Sequence, residues 1–383
     1  MKRRKFVKTA TVSSAGLMIP EVLWPAIQRR QIKGKPATNI KDALKFPRNE
    51  NSMPGLFPGR VIQVIHPDSV VNQKPVESVA YEMIEQAICQ LTDQKNLKKA
   101  WRKLVNRNDR IGLKINPVAG PLLSTSHAVT QSVIQQLEES GITRKNIVIF
   151  DRREFQLHEI GYTSENYPGI RITGTECKDE NGSFYDADGK LYSLERIDKK
   201  WFYWADCEME YGKETMPFMV NSGKYSYFSK TVTQELDKII NIPILKNAGS
   251  SVTLCLKNLA YGVITNTSRL HQKLWSDTCA EVCAFPPLRD KVVLNIVDGL
   301  IGCYDKGPGA NPQFITAYHT ILAGTDPVAV DRVGYDIVIK KRIEEGVQSR
   351  DNPRGKAFIN MAGKLNLGES NLDQINWKRI EMG

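Results

Sequence analysis

Short apolar runs alternate with longer segments of helically spaced apolar residues from about residue 60 to the end of the chain. Arg60-Val61-Ile62-Gln63-Val64-Ile65 predicts a first strand. Over 79–104, Met83, Ile84, Ala87, Ile88 and Leu91 recur at helical spacing, and 110–115 predicts a second strand. A helix over 127–140 is expected to end at Gly141, and 146–150 reads as a third strand ending at Asp151. The rhythm resumes with a strand over 238–245 ending at Lys246, a helix over 278–285 and a strand over 291–297 ending at Asp298-Gly299. Thr325-Asp326-Pro327 carries the signature of a helix start, with Thr325 or Asp326 as cap and proline just inside. Such alternation predicts an α/β fold: a mostly parallel sheet with helices on both faces.

Two stretches depart from that rhythm. Residues 27–59 are polar, punctuated by Pro and Gly, and read as a linker. Residues 162–232 are rich in Tyr, Trp, Asp and Gly, and predict an antiparallel β-rich insertion with a hairpin at 184–192. Asp186, Asp188, Gly189 and Glu195 fall at calcium-loop spacing there, but Phe184 occupies the first ligand position, and the hairpin is the preferred reading. The predicted organisation is thus an N-terminal segment (1–26), a linker (27–59) and one α/β domain (60–383).

Charge changes the picture mainly at the N-terminus. The formal net charge is +11, but the first 35 residues hold nine basic side chains against Glu21, a net +8 that leaves +3 for the rest. A body so near neutrality lacks the basic stripe that nucleic-acid binding needs, so no nucleic-acid partner is expected. Arg3-Arg4 with Phe6 and Lys8, followed by a short apolar stretch, predicts a twin-arginine export signal. The expected partner is then the twin-arginine translocase, and the expected location periplasmic or exported. Ala26, preceded by Trp24 and Pro25, makes a poor cleavage site, so retention of the leader as an anchor stays open.

Seven cysteines show no cluster-binding run, so no iron–sulfur cluster is expected from this chain alone. Cys279 and Cys283, four apart, would share a helix face, either as core residues or as a metal or disulfide pair. Nucleotide-binding glycine loops and the Gly-x-Ser-x-Gly nucleophile elbow are absent.

Polar residues at the expected carboxyl ends of strands mark the candidate site, because open parallel sheets bind ligands there. Lys114 and Asn116, Lys246 and Asn247, Asp151, and Asp298-Gly299 occupy those ends, and Lys257-Asn258 follows the apolar run 252–256. A lysine inside Ile111-Gly112-Leu113-Lys114-Ile115 is costly to bury unless paired. Lysines converging on a crevice would suit a carboxylate or phosphate, or lower one another's pKa. His127, His158 and His271 are candidates to join them, and Asp331 is expected to pair with a strand lysine. Gly307-Pro308-Gly309 reads as a rigid rim.

Leu113-Lys114-Ile115-Asn116-Pro117, Ile242-Pro243-Ile244-Leu245-Lys246, the segment from Val252 to Leu259, Val297-Asp298-Gly299 and the segment from Gly324 to Asp331 resemble the ordered motifs of the domain of unknown function 362 family. The resemblance runs from about Val61 to Ile380. It implies an α/β fold and, in members with ferredoxin-like cysteine runs, a partnership with iron–sulfur modules. This chain departs from the pattern in lacking those runs, and in having Asn247 where the family often has histidine. His271 falls where the family often has one.

Three functional readings follow. In the first, Lys114, Asn116, Lys246, Asn258 and Gly299 bind an anionic small molecule, and Lys257, His271 and Asp298 supply acid–base groups. A divalent metal on Asp151, Asp298 and His271 is a weaker variant, and the cofactor is otherwise unknown. In the second, the protein is a redox or cofactor-maturation accessory with a redox partner protein. In the third, it binds without turnover. The export expectation has a direct check: changing Arg3 and Arg4 together to lysine should hold the protein in the cytoplasm, as cell fractionation would show, and unimpaired export would refute it.

Overall fold

The computed structural model describes residues 34–175, 195–207, 224–249, 251–347 and 353–383. The leader and the hairpin at 184–192 lie outside the described residues. In chain order the first half contains α1 (Ile40–Leu44), β1 (Arg60–Ile65), β2 (Val70–Val71), β3 (Lys74–Pro75), α2 (Glu77–Thr92), α3 (Leu97–Leu104), β4 (Ile111–Ile115), α4 (His127–Glu139), β5 (Ile147–Phe150), α5 (Glu154–Glu159), β6 (Arg171–Thr173), β7 (Ile197–Trp204) and β8 (Tyr225–Ser229). The second half adds β9 (Lys238–Ile242), β10 (Ile244–Ala248), β11 (Ser251–Thr253), α6 (Cys255–Val263), α7 (Ser268–Lys273), α8 (Trp275–Glu281) and α9 (Pro286–Arg289). It closes with β12 (Val292–Cys303), β13 (Ile315–Gly324), α10 (Pro327–Glu344), α11 (Ala357–Lys364) and β14 (Asn376–Glu381).

One sheet organises the domain, in the order β14-β1-β13-β12-β9-β4-β5-β6, with β10 and β11 attached beside β12. The strands β12, β9, β4, β5 and β6 run parallel, whereas β13 is antiparallel to both β12 and β1. Apolar residues of α2, α3 and α4 cover one face, and those of α6, α8, α10 and α11 cover the other. The fold is therefore α/β as expected, with β7 and β8 forming a separate antiparallel pair. Within the stretch read as an insertion, β6 instead joins the main sheet beside β5.

Local chemistry explains where the elements break. The helix expected over 79–104 splits because Asp93 adopts a left-handed conformation (φ 54°), and the Asn96 side chain then caps α3 through the Lys99 amide. The strand expected over 238–245 is cut at Pro243, which has no N–H for the ladder, and β10 crosses to pair with β12. β12 does not end at Asp298-Gly299 but runs on to Cys303, because β13 continues the ladder past a bulge between Gly299 and Ile301.

The segment 34–59, read as part of a linker, is laid against the domain. Arg289 donates to the carbonyls of Phe46 (3.1 Å) and Pro47 (2.7 Å), and Met53 is fully buried. Its few anchors bind mostly backbone, so no periodicity in its own residues betrays them.

Two buried aspartates hold the helices in place. Asp326 caps α10 through the amides of Val328 and Ala329, and also accepts from Gly59 and Glu369. Asp331 pairs with no strand lysine, contrary to expectation. It accepts from the amides of Cys255 (2.6 Å) and Leu256 (3.0 Å), the first two residues of α6, whose own cap residue Leu254 has no side-chain acceptor. Five residues, about 1.4 helical turns, separate the two aspartates and place them on different faces, Asp331 toward α6 and Asp326 toward the loops that hold Gly59 and Glu369. Burial pushes the Asp331 pKa up to about 7, with the amides pulling it back. Asp331→Ala should cost about 2 kcal/mol by leaving buried amides unsatisfied, and Asp331→Asn distinctly less, as read by denaturant unfolding.

Candidate functional site

The residues that carry the site begin with the alternation of β4. Ile111, Leu113 and Ile115 pack into the core on the α2–α4 side, so Lys114 points the opposite way, under α6. It is fully buried. Its ammonium bonds Asp151, at the end of β5, and donates to Asn258 Oδ1 of α6 (3.0 Å) and to the Ile115 carbonyl (2.7 Å). Burial lowers the Lys114 pKa, and the Asp151 charge opposes that shift. The close approach of α6 depends on Gly262: a Cβ there would stand 2.1 Å from Lys114 Cε.

A chain of buried amides extends from this pair. Asn116 Nδ2 donates to Asn258 Oδ1 (3.1 Å), and Lys246 Nζ donates to Asn116 Oδ1 (3.0 Å) and the Val118 carbonyl (2.8 Å). In the other direction Asn258 Nδ2 reaches Asn241 Oδ1 (2.8 Å), and Asn241 Nδ2 reaches Asn295 Oδ1 (2.9 Å). The structure thus brings together Lys114, Asn116, Asp151, Lys246 and Asn258 through direct hydrogen bonds. Asn241 and Asn295 were not foreseen, although each is a polar residue inside an apolar strand, a readable signal.

Lys246 is fully buried and, among the described residues, forms no ion pair. Burial first, then the positive charges of Lys257 and Lys114, bring its pKa down to about 7.

Lys257 occupies a different setting from the one expected. It lies on α6, not at a strand end, because the chain turns into helix directly after β11. Its Nζ lies 5.9 Å from the centroid of the Tyr261 ring and 5.4 Å from that of Trp275. Among the described residues it makes no ion pair and no hydrogen bond, and burial lowers its pKa. The Tyr261 ring also meets His271 (centroids 4.4 Å apart), and the buried Tyr261 hydroxyl has no hydrogen-bond partner among the described residues. His271 Nδ1 donates to the Thr267 carbonyl (3.0 Å), which leaves the Nε2 lone pair available. His271 keeps an exposed edge, yet the surrounding protein and then the Lys257 charge press its pKa down to about 4.

Asp298 and Gly299 stand apart from the lysines. Asp298 accepts from the amides of Ser126 (2.7 Å) and Leu300 (3.2 Å), and burial raises its pKa against those bonds. At Gly299 a Cβ would lie 2.7 Å from Thr320 Cγ2, so the glycine serves strand contact. His127 bonds Tyr167 (2.6 Å) and the Ile160 carbonyl (2.8 Å), and His158 is exposed on α5. Asn247 and Gly307 hold each other, with the Gly307 amide donating to Asn247 Oδ1 (3.2 Å). Cys255, Cys279 and Cys283 are buried in the apolar core. Asp151, Asp298 and His271, weighed as metal ligands, each have separate partners, and no group of three or more His, Cys, Asp or Glu among the described residues is arranged to hold a metal ion.

The fold and site define an α/β protein built around a buried lysine–asparagine network. Residues 111–336, well over half the chain, match the profile of a family described as a domain of unknown function (DUF362), and the chain belongs to that family. No curated protein matches it. A crystal structure of a Thermotoga maritima protein is similar at 9% identity and a TM-score of 0.35, over 70% of this chain; this chain spans 59% of that protein's length.

The depressed pKa of Lys246 fixes the sign of a pH effect. Between about 7 and the unfolded value of 10.5, the unfolded chain holds the proton and the folded one does not. Stability contributed by this group therefore rises with pH across that window, by up to about 1.36 kcal/mol per unit. Lys246→Met should flatten that rise in urea-unfolding free energies measured from pH 7 to 10, and identical slopes would show that Lys246 is not desolvated in the folded state.

Proposed function

We propose that this protein binds a small anion, a carboxylate or a phosphate, at Lys257, with His271 as a hydrogen-bonding and proton-accepting group at the rim. The observation that carries the reading is the unpaired state of Lys257. A lysine taken partly out of water without a carboxylate is costly, and an anion offsets that cost directly. Other features support it. The aromatic faces of Tyr261 and Trp275 exclude water from the ammonium, which strengthens any charge pair formed there. The Lys246 charge is felt at Lys257, while Lys114 is bound to Asp151 and Lys246 to Asn116 Oδ1 and the Val118 carbonyl. His271 is neutral at physiological pH because its pKa is about 4, so Nε2 accepts a hydrogen bond from a protonated ligand oxygen. In this reading Lys114, Asn116 and Asn258 position α6 and do not touch the ligand.

Binding is read by thermal unfolding in the presence of inorganic phosphate, citrate, malonate and short monocarboxylates. An anion at a hundred times its dissociation constant should stabilise the fold by about 2.7 kcal/mol. Lys257→Gln should abolish most of that shift while leaving the melting temperature of the unliganded protein unchanged or higher, since an uncompensated charge is removed. A shift that survives in Lys257→Gln would move the anion elsewhere, and the absence of any shift would overturn the reading.

A further inference from the structure

A cleft of about 1040 Å³ among the described residues belongs to neither the lysines nor the asparagine chain. It opens beyond the carboxyl ends of β4 and β9, between the start of α4 and the extensions of β12 and β13, where an open α/β sheet places its ligands. Its walls are largely apolar, with Ile160, Ile301 and Ile315 among them, and Leu122 projects into it with 60% of its surface exposed. A wall of that kind receives the apolar body of an organic molecule.

The polar groups around this apolar body decide the charge of the ligand. Asp298 lies in the floor and Glu77, exposed in the first turn of α2, at the rim. Among the described residues, neither lysine nor arginine lines the cleft. The start of α4 would ordinarily attract an anion, but the Asp298 carboxylate already holds the Ser126 amide (2.7 Å), and Ser126 Oγ caps the Val129 amide. An incoming anion would therefore meet a carboxylate in place of open amides. His319 also faces the cleft. It sits in the bulge where β13 departs from β12, with a left-handed φ of 53°, and its Nδ1 contacts Ser69 Oγ (3.2 Å). That backbone conformation, set by the bulge, turns the His319 side chain out of the β12–β13 ladder beside the cleft.

We infer that this cleft is a second binding site, and that it takes an organic amine: an ammonium directed at Asp298 and Glu77, with its apolar body against Leu122, Ile160, Ile301 and Ile315. The His319 ring supplies a further hydrogen-bond acceptor near the ammonium. Burial raises the Asp298 pKa, and an ammonium beside it would favour the ionised carboxylate, so binding and ionisation reinforce each other.

The test uses three indoles of nearly equal size and different charge: tryptamine, tryptophol and indole-3-propionate, titrated into the full chain by calorimetry or ligand-observed NMR at pH 7.5. Tryptamine should bind at least tenfold more tightly than the propionate and measurably more tightly than the alcohol. Glu77→Gln and Asp298→Asn should each weaken tryptamine several-fold and leave tryptophol unchanged. Should Asp298→Asn fail to fold, Glu77→Gln and His319→Gln decide the matter, since both positions retain solvent exposure. Equal affinity for all three indoles, tighter binding of the propionate, no tryptamine binding at millimolar concentration, or unchanged tryptamine affinity in the variants would each overturn the assignment. Lys257→Gln should leave tryptamine binding intact, so this site and the anion site succeed or fail separately.

Discussion

The Lys114 ammonium, buried in the middle of a parallel sheet, is the constraint on which much else depends. A charge removed from water this completely must be matched by acceptors held in place before it arrives, or the domain loses several kcal/mol, typically about 3–5 for a broken buried pair. Asp151 supplies the countercharge from the neighbouring strand, and Asn258 supplies an oxygen from the helix above. That helix can approach only because residue 262 has no side chain, and it starts where it does because Asp331 reaches over from α10 to take its first two amides. One buried charge thus ties together β4, β5, α6 and α10.

Asparagine is suited to transmit that arrangement. Each side chain donates and accepts, so Asn116, Asn258, Asn241 and Asn295 form a continuous path across the strands with few unmet groups. The path ends at Lys246, whose ammonium has neutral oxygens but no carboxylate. The difference between Lys114 and Lys246 is therefore one of partner: the Asp151 charge opposes the loss of water around the first, while burial and neighbouring lysines bring the second to about 7. Lys257 completes the series, with aromatic faces and no acceptor.

The two sides of the domain differ in electrostatic character for reasons of topology. The α6 side gathers Lys114, Lys246 and Lys257 with a single carboxylate, Asp151, among the groups bonded to them. The cleft beside α4 gathers Asp298 and Glu77, with no lysine or arginine among the described residues that line it. The pairing of β10 with β12 keeps them apart: Asp298 stands in register with Ile244, and Lys246 with Cys303. Asp298 accepts from the Ser126 amide at the start of α4, and the bulge in the β12–β13 ladder presents His319 nearby.

By itself the sequence determined the class of fold, most element positions and the identity of the buried polar set. Periodicity is a local property, and a lysine or asparagine inside an apolar run reports its own burial cost, so Lys114, Asn116, Lys246 and Asn258 were legible, as Asn241 and Asn295 could have been. The cap at Asp326 was legible for the same reason, its acceptor and its amides being neighbours in sequence. Partnership was decided only in three dimensions. Asp331 belongs to α6, Asp298 to α4 and Lys257 to a helix rather than a strand tip, because each choice depends on where a distant element passes. The segment 34–59 found its place through carbonyls bound by Arg289, contacts that leave no mark on its own residues. Hydrophobic burial acts on every residue where it stands and so writes a local pattern, whereas hydrogen bonds and charge pairs join residues whose proximity only the completed fold creates.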